Sequence, residues 1–96
     1  MTLKIFSIRD SKGECYQQPF FRKMHGEAER DFKTLINKGD NQVSMYPEDY
    51  DLYYLGEFNE RTGCSKLLDT PQHVAKAISL LKRPTDPSDL STAARA

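Results

Sequence analysis

The chain has no tryptophan, only two cysteines and no excess of charge: fourteen Lys and Arg balance fourteen Asp and Glu. Each shortage excludes something. A net charge of zero removes the whole-molecule basicity of a strong duplex binder. Cys15 and Cys64 stand far apart with no second thiol near either, so neither a zinc knuckle nor a CxxC redox motif is written here. They read as two small half-buried residues, left reduced inside a cell. No apolar run approaches the roughly 18 residues of a membrane span, and Met1-Thr2-Leu3-Lys4 leads directly into patterned sequence rather than a signal peptide. The expectation is a soluble, intracellular protein. Glycine-rich phosphate loops, nucleophile elbows and His-Glu-x-x-His helices are missing, and His25 and His73 have no ligand partner at helical spacing. No metal, cofactor or enzymatic activity is implied.

What is present fits one domain. The 96 residues leave a thin core, for which self-association as a homodimer would add stability. Charge is polarised along the chain: residues 1–38 hold eight basic and five acidic side chains, residues 39–69 two and seven. Leu3 to Arg9 is rich in β-branched and aromatic residues and reads as an inner strand, closed by the turn cluster Asp10-Ser11-Lys12-Gly13. Cys15 to Lys23 reads as a second, irregular strand, because Pro19 removes a ladder donor. From Gly26 to Lys38 the period changes. Ala28, Phe32, Leu35 and Ile36 form one helical stripe, acids open the segment, bases close it, and Gly39 supplies a left-handed stop.

Asp40 to Asp51 lacks any period and predicts a long loop. Leu52 to Phe58 reads as a strand with Leu52, Tyr54 and Phe58 on one face, Gly56 marking a bulge or a close approach. Asn59-Glu60-Arg61-Thr62-Gly63 is a hairpin loop leading to a partner strand, Cys64 to Leu68. Asp69-Thr70-Pro71 has the form of a helix start, and Val74, Ala77, Ile78 and Leu81 follow at helical spacing. The predicted fold is α+β in two layers: an antiparallel sheet of about four strands with two helices on one face, in the order ββαββα. Residues 1–82 form the domain. Residues 83–96, with a single large apolar side chain, are expected to be a disordered tail.

The acids Glu48, Asp49 and Asp51, with Glu57 and Glu60 beyond, raise the possibility of a metal-dependent nuclease. The lysine such a site needs two positions after its strand carboxylate is missing, since Glu57-Phe58 is followed by Asn59. A solvated acidic loop is the better reading. Aromatic placement is more informative. Phe20, Phe21, Arg22 and Lys23 are consecutive, and Tyr46, Tyr50, Tyr53 and Tyr54 cluster. Exposed aromatics beside cations are what single-strand binders use, because every base has a π-face and the phosphates need neutralising. The predicted nucleic-acid face is Lys4, Tyr16, Phe21, Arg22, Lys23 and Tyr53.

The segments Lys4 to Lys12, Gln18-Pro19-Phe20-Phe21 and Pro47 to Phe58 resemble the small non-structural protein of gokushoviruses, phages of the microvirus family with circular single-stranded DNA genomes. The resemblance runs in order through residues 1 to 81. One departure is Met24-His25-Gly26 at the helix start, where the family often places an Asn or Asp cap. The resemblance implies a protein of the infected bacterium's cytoplasm that serves synthesis or packaging of viral single-stranded DNA, with no catalytic residues. Two roles follow. One is a single-stranded DNA binder; the other is an adaptor that engages the viral initiator, a host replication factor or the procapsid through Glu48, Asp49 and Asp51.

Overall fold

The computed structural model describes residues 2–82, and the predicted tail lies outside them. The α+β class and the two-layer plan hold. Strands β1 (Thr2–Asp10), β2 (Cys15–Tyr16), β3 (Phe20–Arg22), β4 (Tyr50–Asn59) and β5 (Ser65–Lys76) form one antiparallel sheet in the order β2-β1-β4-β5, with β3 also on β1. Helices α1 (His25–Lys38), α2 (Gln42–Met45) and α3 (Ala77–Leu80) complete the chain, with a 3₁₀ turn at Pro47–Asp49.

β2 and β3 are two pieces of one broken edge, as Pro19 requires. Tyr16 lies opposite Arg9, and Phe21 lies opposite Ile5. Between them the Ser7 hydroxyl donates to the Gln17 carbonyl at 2.6 Å, which satisfies a fully buried polar side chain. α1 starts without an Asn or Asp cap. Instead the Glu27 carboxylate accepts from the backbone N–H groups of Lys23 and Met24, at 3.0 and 3.2 Å. Gly39 ends the helix at φ 85°, the left-handed conformation its position predicts.

The buried core joins Phe6 and Ile8 of β1 to Tyr50 and Leu52 of β4, under Ala28, Phe32 and Ile36 of α1, Val43 of α2 and Ala77 of α3. All three helices therefore serve one face of the sheet. The segment expected as a loop is ordered by polar caps instead of hydrophobic period: Asn41 accepts from Ser44 N–H at 2.9 Å, and Asn41 and Ser44 both donate to the Leu35 carbonyl. A pattern search for apolar repeats cannot see such an element.

The second long helix does not form. Asp69-Thr70-Pro71 lies inside β5, and helix is confined to the single turn Ala77–Leu80, with Ile78 left exposed. The reason is backbone accounting. β4 presents a long row of N–H and C=O groups, and β5 pairs with it from Phe58 opposite Ser65 to Asp51 opposite Lys76. Pro71 is tolerated because it lies on the outer strand where the ladder skips, between the Gly56–Leu67 and Tyr54–Gln72 pairs. The hairpin loop itself is as expected, with the Asn59 side chain accepting from Arg61 and Thr62 N–H and Gly63 at φ 76°.

One irregularity decides which way side chains point. β1 pairs Ile5 with Gly56 but Phe6 with Tyr54, leaving Leu55 as an extra residue in β4. Paired residues share a face. Tyr50, Leu52 and Tyr54 therefore point toward the helices, whereas Phe58, opposite Leu3, points away from them. The expected grouping of Phe58 with Leu52 and Tyr54 is corrected by that one-residue slip. Gly56 permits it: at φ 151° any Cβ would collide with the Lys66 carbonyl and lie 2.7 Å from Leu67 Cα.

Candidate nucleic-acid interface

The face of the sheet turned away from the helices carries the exposed aromatics. Near its helix-backed end, Tyr16, Tyr53 and His73 make a continuous row across β2, β4 and β5. Ring centroids are 5.5 Å apart for Tyr16–Tyr53 and 5.3 Å for Tyr53–His73, both edge-to-face. Strand alternation produces this row, because Tyr53 is opposite Ser7 on one side and His73 on the other. Toward the hairpin, Phe21 and Phe58 form a second edge-to-face pair at 5.5 Å, with Leu67 beside them at 66% exposure.

The next register position carries the charges. Arg9, Asp51 and Lys76 are aligned across β1, β4 and β5. Arg9 lies over the Tyr16 ring at 5.8 Å, and His73 Nε2 is 2.6 Å from Asp51 Oδ2. Among the described residues Arg22 pairs with Asp31 and the His73 ring contacts Asp51, an ion pair only when the imidazole is protonated, while Arg9 and Lys76 pair with no carboxylate. A cleft of about 260 Å³ opens here, lined by Arg9, Ser11, Glu48, Asp49, Asp51, Tyr53 and Lys76.

Of the six residues predicted for a nucleic-acid face, the structure places Tyr16, Phe21 and Tyr53 together on this surface. Tyr16 and Phe21 are 42% and 41% exposed, and Tyr53 is half-buried between its neighbours. Lys23 is exposed just beyond β3. Lys4 and Arg22 are not brought to it. They are opposite one another on the helix side, where the Lys4 ammonium sits 5.5 Å from the Tyr54 ring and the Arg22 guanidinium is bound to Asp31 of α1. Counting cations near aromatics in sequence cannot separate the two sides of a strand. The acids predicted as a partner site, Glu48, Asp49 and Asp51, do converge, but in the same cleft as Arg9 and Lys76.

Sequence reasoning missed Arg9, Phe58, His73 and Lys76. Arg9 was legible, since it alternates with Ser7 along β1. His73 and Lys76 carried no usable signal, because their segment has helical spacing. Tyr50 and Tyr54 belong to the fold, and Tyr46 is exposed off the sheet. Burial pushes the Tyr50 phenol above its ordinary value, with Asp10 and Asp49 adding to the effect, and burial with Glu57 does the same to Tyr54. Both Cys15 and Cys64 are free, and both are exposed rather than half-buried. No group of three or more His, Cys, Asp or Glu side chains among the described residues could hold a metal ion.

A family model described as Phage ORF5 protein matches residues 3–80. The chain belongs to that family. The match spans every described element, from β1 to α3, and contains all the residues of the aromatic face. No curated protein and no solved structure matches the chain. Among the described residues, no helix is long and apolar enough to cross a membrane.

Proposed function

We propose that this phage protein binds single-stranded DNA, without catalysis, through the helix-free face of its sheet. The observation that carries the proposal is the Tyr16–Tyr53–His73 row bordered by Arg9 and Lys76, which form no ion pair among the described residues. Rings at this spacing give unpaired bases a platform, and cations along its border neutralise phosphates. Phe21 and Phe58 extend the platform toward the hairpin, with Lys23 beyond β3. Within this reading the chain is the small non-structural protein of a gokushovirus, acting in the bacterial cytoplasm on viral single-stranded DNA during its synthesis or packaging.

The test is fluorescence anisotropy of a labelled oligo-dT titrated with purified protein. Binding should weaken steeply with salt, need no Mg²⁺, and lose about 1–3 kcal/mol for each stacking ring removed in Tyr53→Ala and Phe21→Ala. Absence of binding at low salt overturns the proposal. It would favour the adaptor reading, in which Glu48, exposed on the 3₁₀ turn, and Asp49 contact a replication protein or the procapsid.

A further inference from the structure

A carboxylate in the middle of a DNA-binding face needs a reason, because it repels the phosphates the face must attract. Asp51 occupies that position, between Arg9 and Lys76 in register and one residue from Tyr53. It is not turned away: the side chain is 26% exposed and lines the cleft beside the Tyr53 ring. Its orientation is fixed by His73, whose ring is held in turn against Tyr53. A carboxylate has about four acceptor positions, and His73 engages one of them. Arg9 and Lys76 line the same cleft and offset the carboxylate's negative charge.

We infer that Asp51 reads base edges and makes the face prefer guanine to thymine. The inference rests on the DNA-binding role proposed above. Guanine presents two adjacent N–H donors on its Watson–Crick edge, N1–H and the N2 amino group, which a carboxylate accepts together. Thymine presents one N–H between two carbonyl oxygens, both of which a carboxylate repels. In single strands these edges are free of base pairing and open to side chains. A base resting on Tyr53 would meet Asp51 at its rim and leave its phosphate toward Arg9 or Lys76. The cleft, near 260 Å³, lies below the roughly 300–1,000 Å³ of drug-sized pockets and suits one heterocycle. His73, a member of the ring row, also positions the carboxylate through its Nε2.

The test compares labelled oligo-dT with an oligomer of equal length in which isolated guanines alternate with thymines, at one salt concentration. Wild-type protein should bind the guanine-containing strand about tenfold more tightly, the scale of a bidentate contact. Asp51→Asn should bring the two affinities together without weakening oligo-dT binding, and Asp51→Glu should restore part of the difference. His73→Phe, which keeps a ring in the row but removes the contact to Asp51, should reduce the ratio of guanine to thymine affinity. A measurement on unaltered protein removes any concern about folding: hypoxanthine in place of guanine deletes the N2 amino donor and should abolish most of the preference. Equal affinity of wild type for both strands, or a preference that survives Asp51→Asn or hypoxanthine, overturns the inference while the DNA-binding role stands. Failure to bind either strand overturns both.

Discussion

The two halves of β4 are built oppositely. From Tyr50 to Tyr54, the residues facing the helices are the buried Tyr50 and Leu52 and the half-buried Tyr54, and those facing away are Asp51 and Tyr53. From Gly56 to Asn59 the arrangement inverts: Glu57 is on the helix side, in register with Lys4 and Lys66, while Phe58 faces away and joins Phe21 and Leu67. The helix-backed half thus spends its apolar residues on a core, and the hairpin half displays them. A single extra residue, Leu55, makes the difference. A slip of one position can convert a strand from core element to displayed surface with no change in composition.

The comparison can be broken most severely in the helix-backed half. Phe32→Ala, at a site 1% exposed, should cost about 3–5 kcal/mol in urea unfolding, since it leaves a cavity under β1 and β4. Gly56→Ala attacks the junction itself. Adding a Cβ at φ 151° against the Lys66 carbonyl should cost about 2–3 kcal/mol, with hydrogen-exchange protection lost first along Gly56–Phe58 and Ser65–Leu67. A smaller effect in the same half depends on pH. The Tyr50 and Tyr54 phenols titrate higher in the folded chain than their ordinary 10.0. Their contribution to stability is therefore complete below that value and is lost as pH rises through the folded pKa values. Tyr50→Phe should flatten this alkaline loss in pH-dependent melting. The smallest effect belongs to the hairpin half: Leu67→Ser, at 66% exposure, should change stability by no more than about 0.5 kcal/mol.

Legibility in the sequence follows the same division. β1, α1 and the hairpin loop were readable because local signals agreed with the fold: an apolar strand, a helical stripe with Gly39 as its stop, and Asn59 with Gly63 in a turn. β5 was misread because Asp69-Thr70-Pro71 and the spacing of Val74, Ala77 and Ile78 are good local helix signals, overruled by the ladder with β4. That one error hid two residues of the site. His73 reaches Tyr53, and Lys76 reaches Asp51, only through strand register. Lys4 and Arg22 were drawn into the predicted face because they neighbour aromatics in sequence, yet alternation sends them to the other side. Phe21 was found because it stands beside Arg22 and Lys23, and Tyr53 because alternation sets it on the face opposite Leu52 and Tyr54.

The measurement that tests the account most directly compares the two sides of the sheet in one assay. Oligo-dT anisotropy at low salt would be run on wild type, on Arg9→Ala with Tyr53→Ala, and on Lys4→Ala. The account predicts salt-sensitive binding by wild type, its loss in the open-face double variant, and near-wild-type affinity for Lys4→Ala, since the Lys4 ammonium lies on the helix side over Tyr54. Absence of wild-type binding would contradict it. So would a loss in Lys4→Ala as large as that in the double variant.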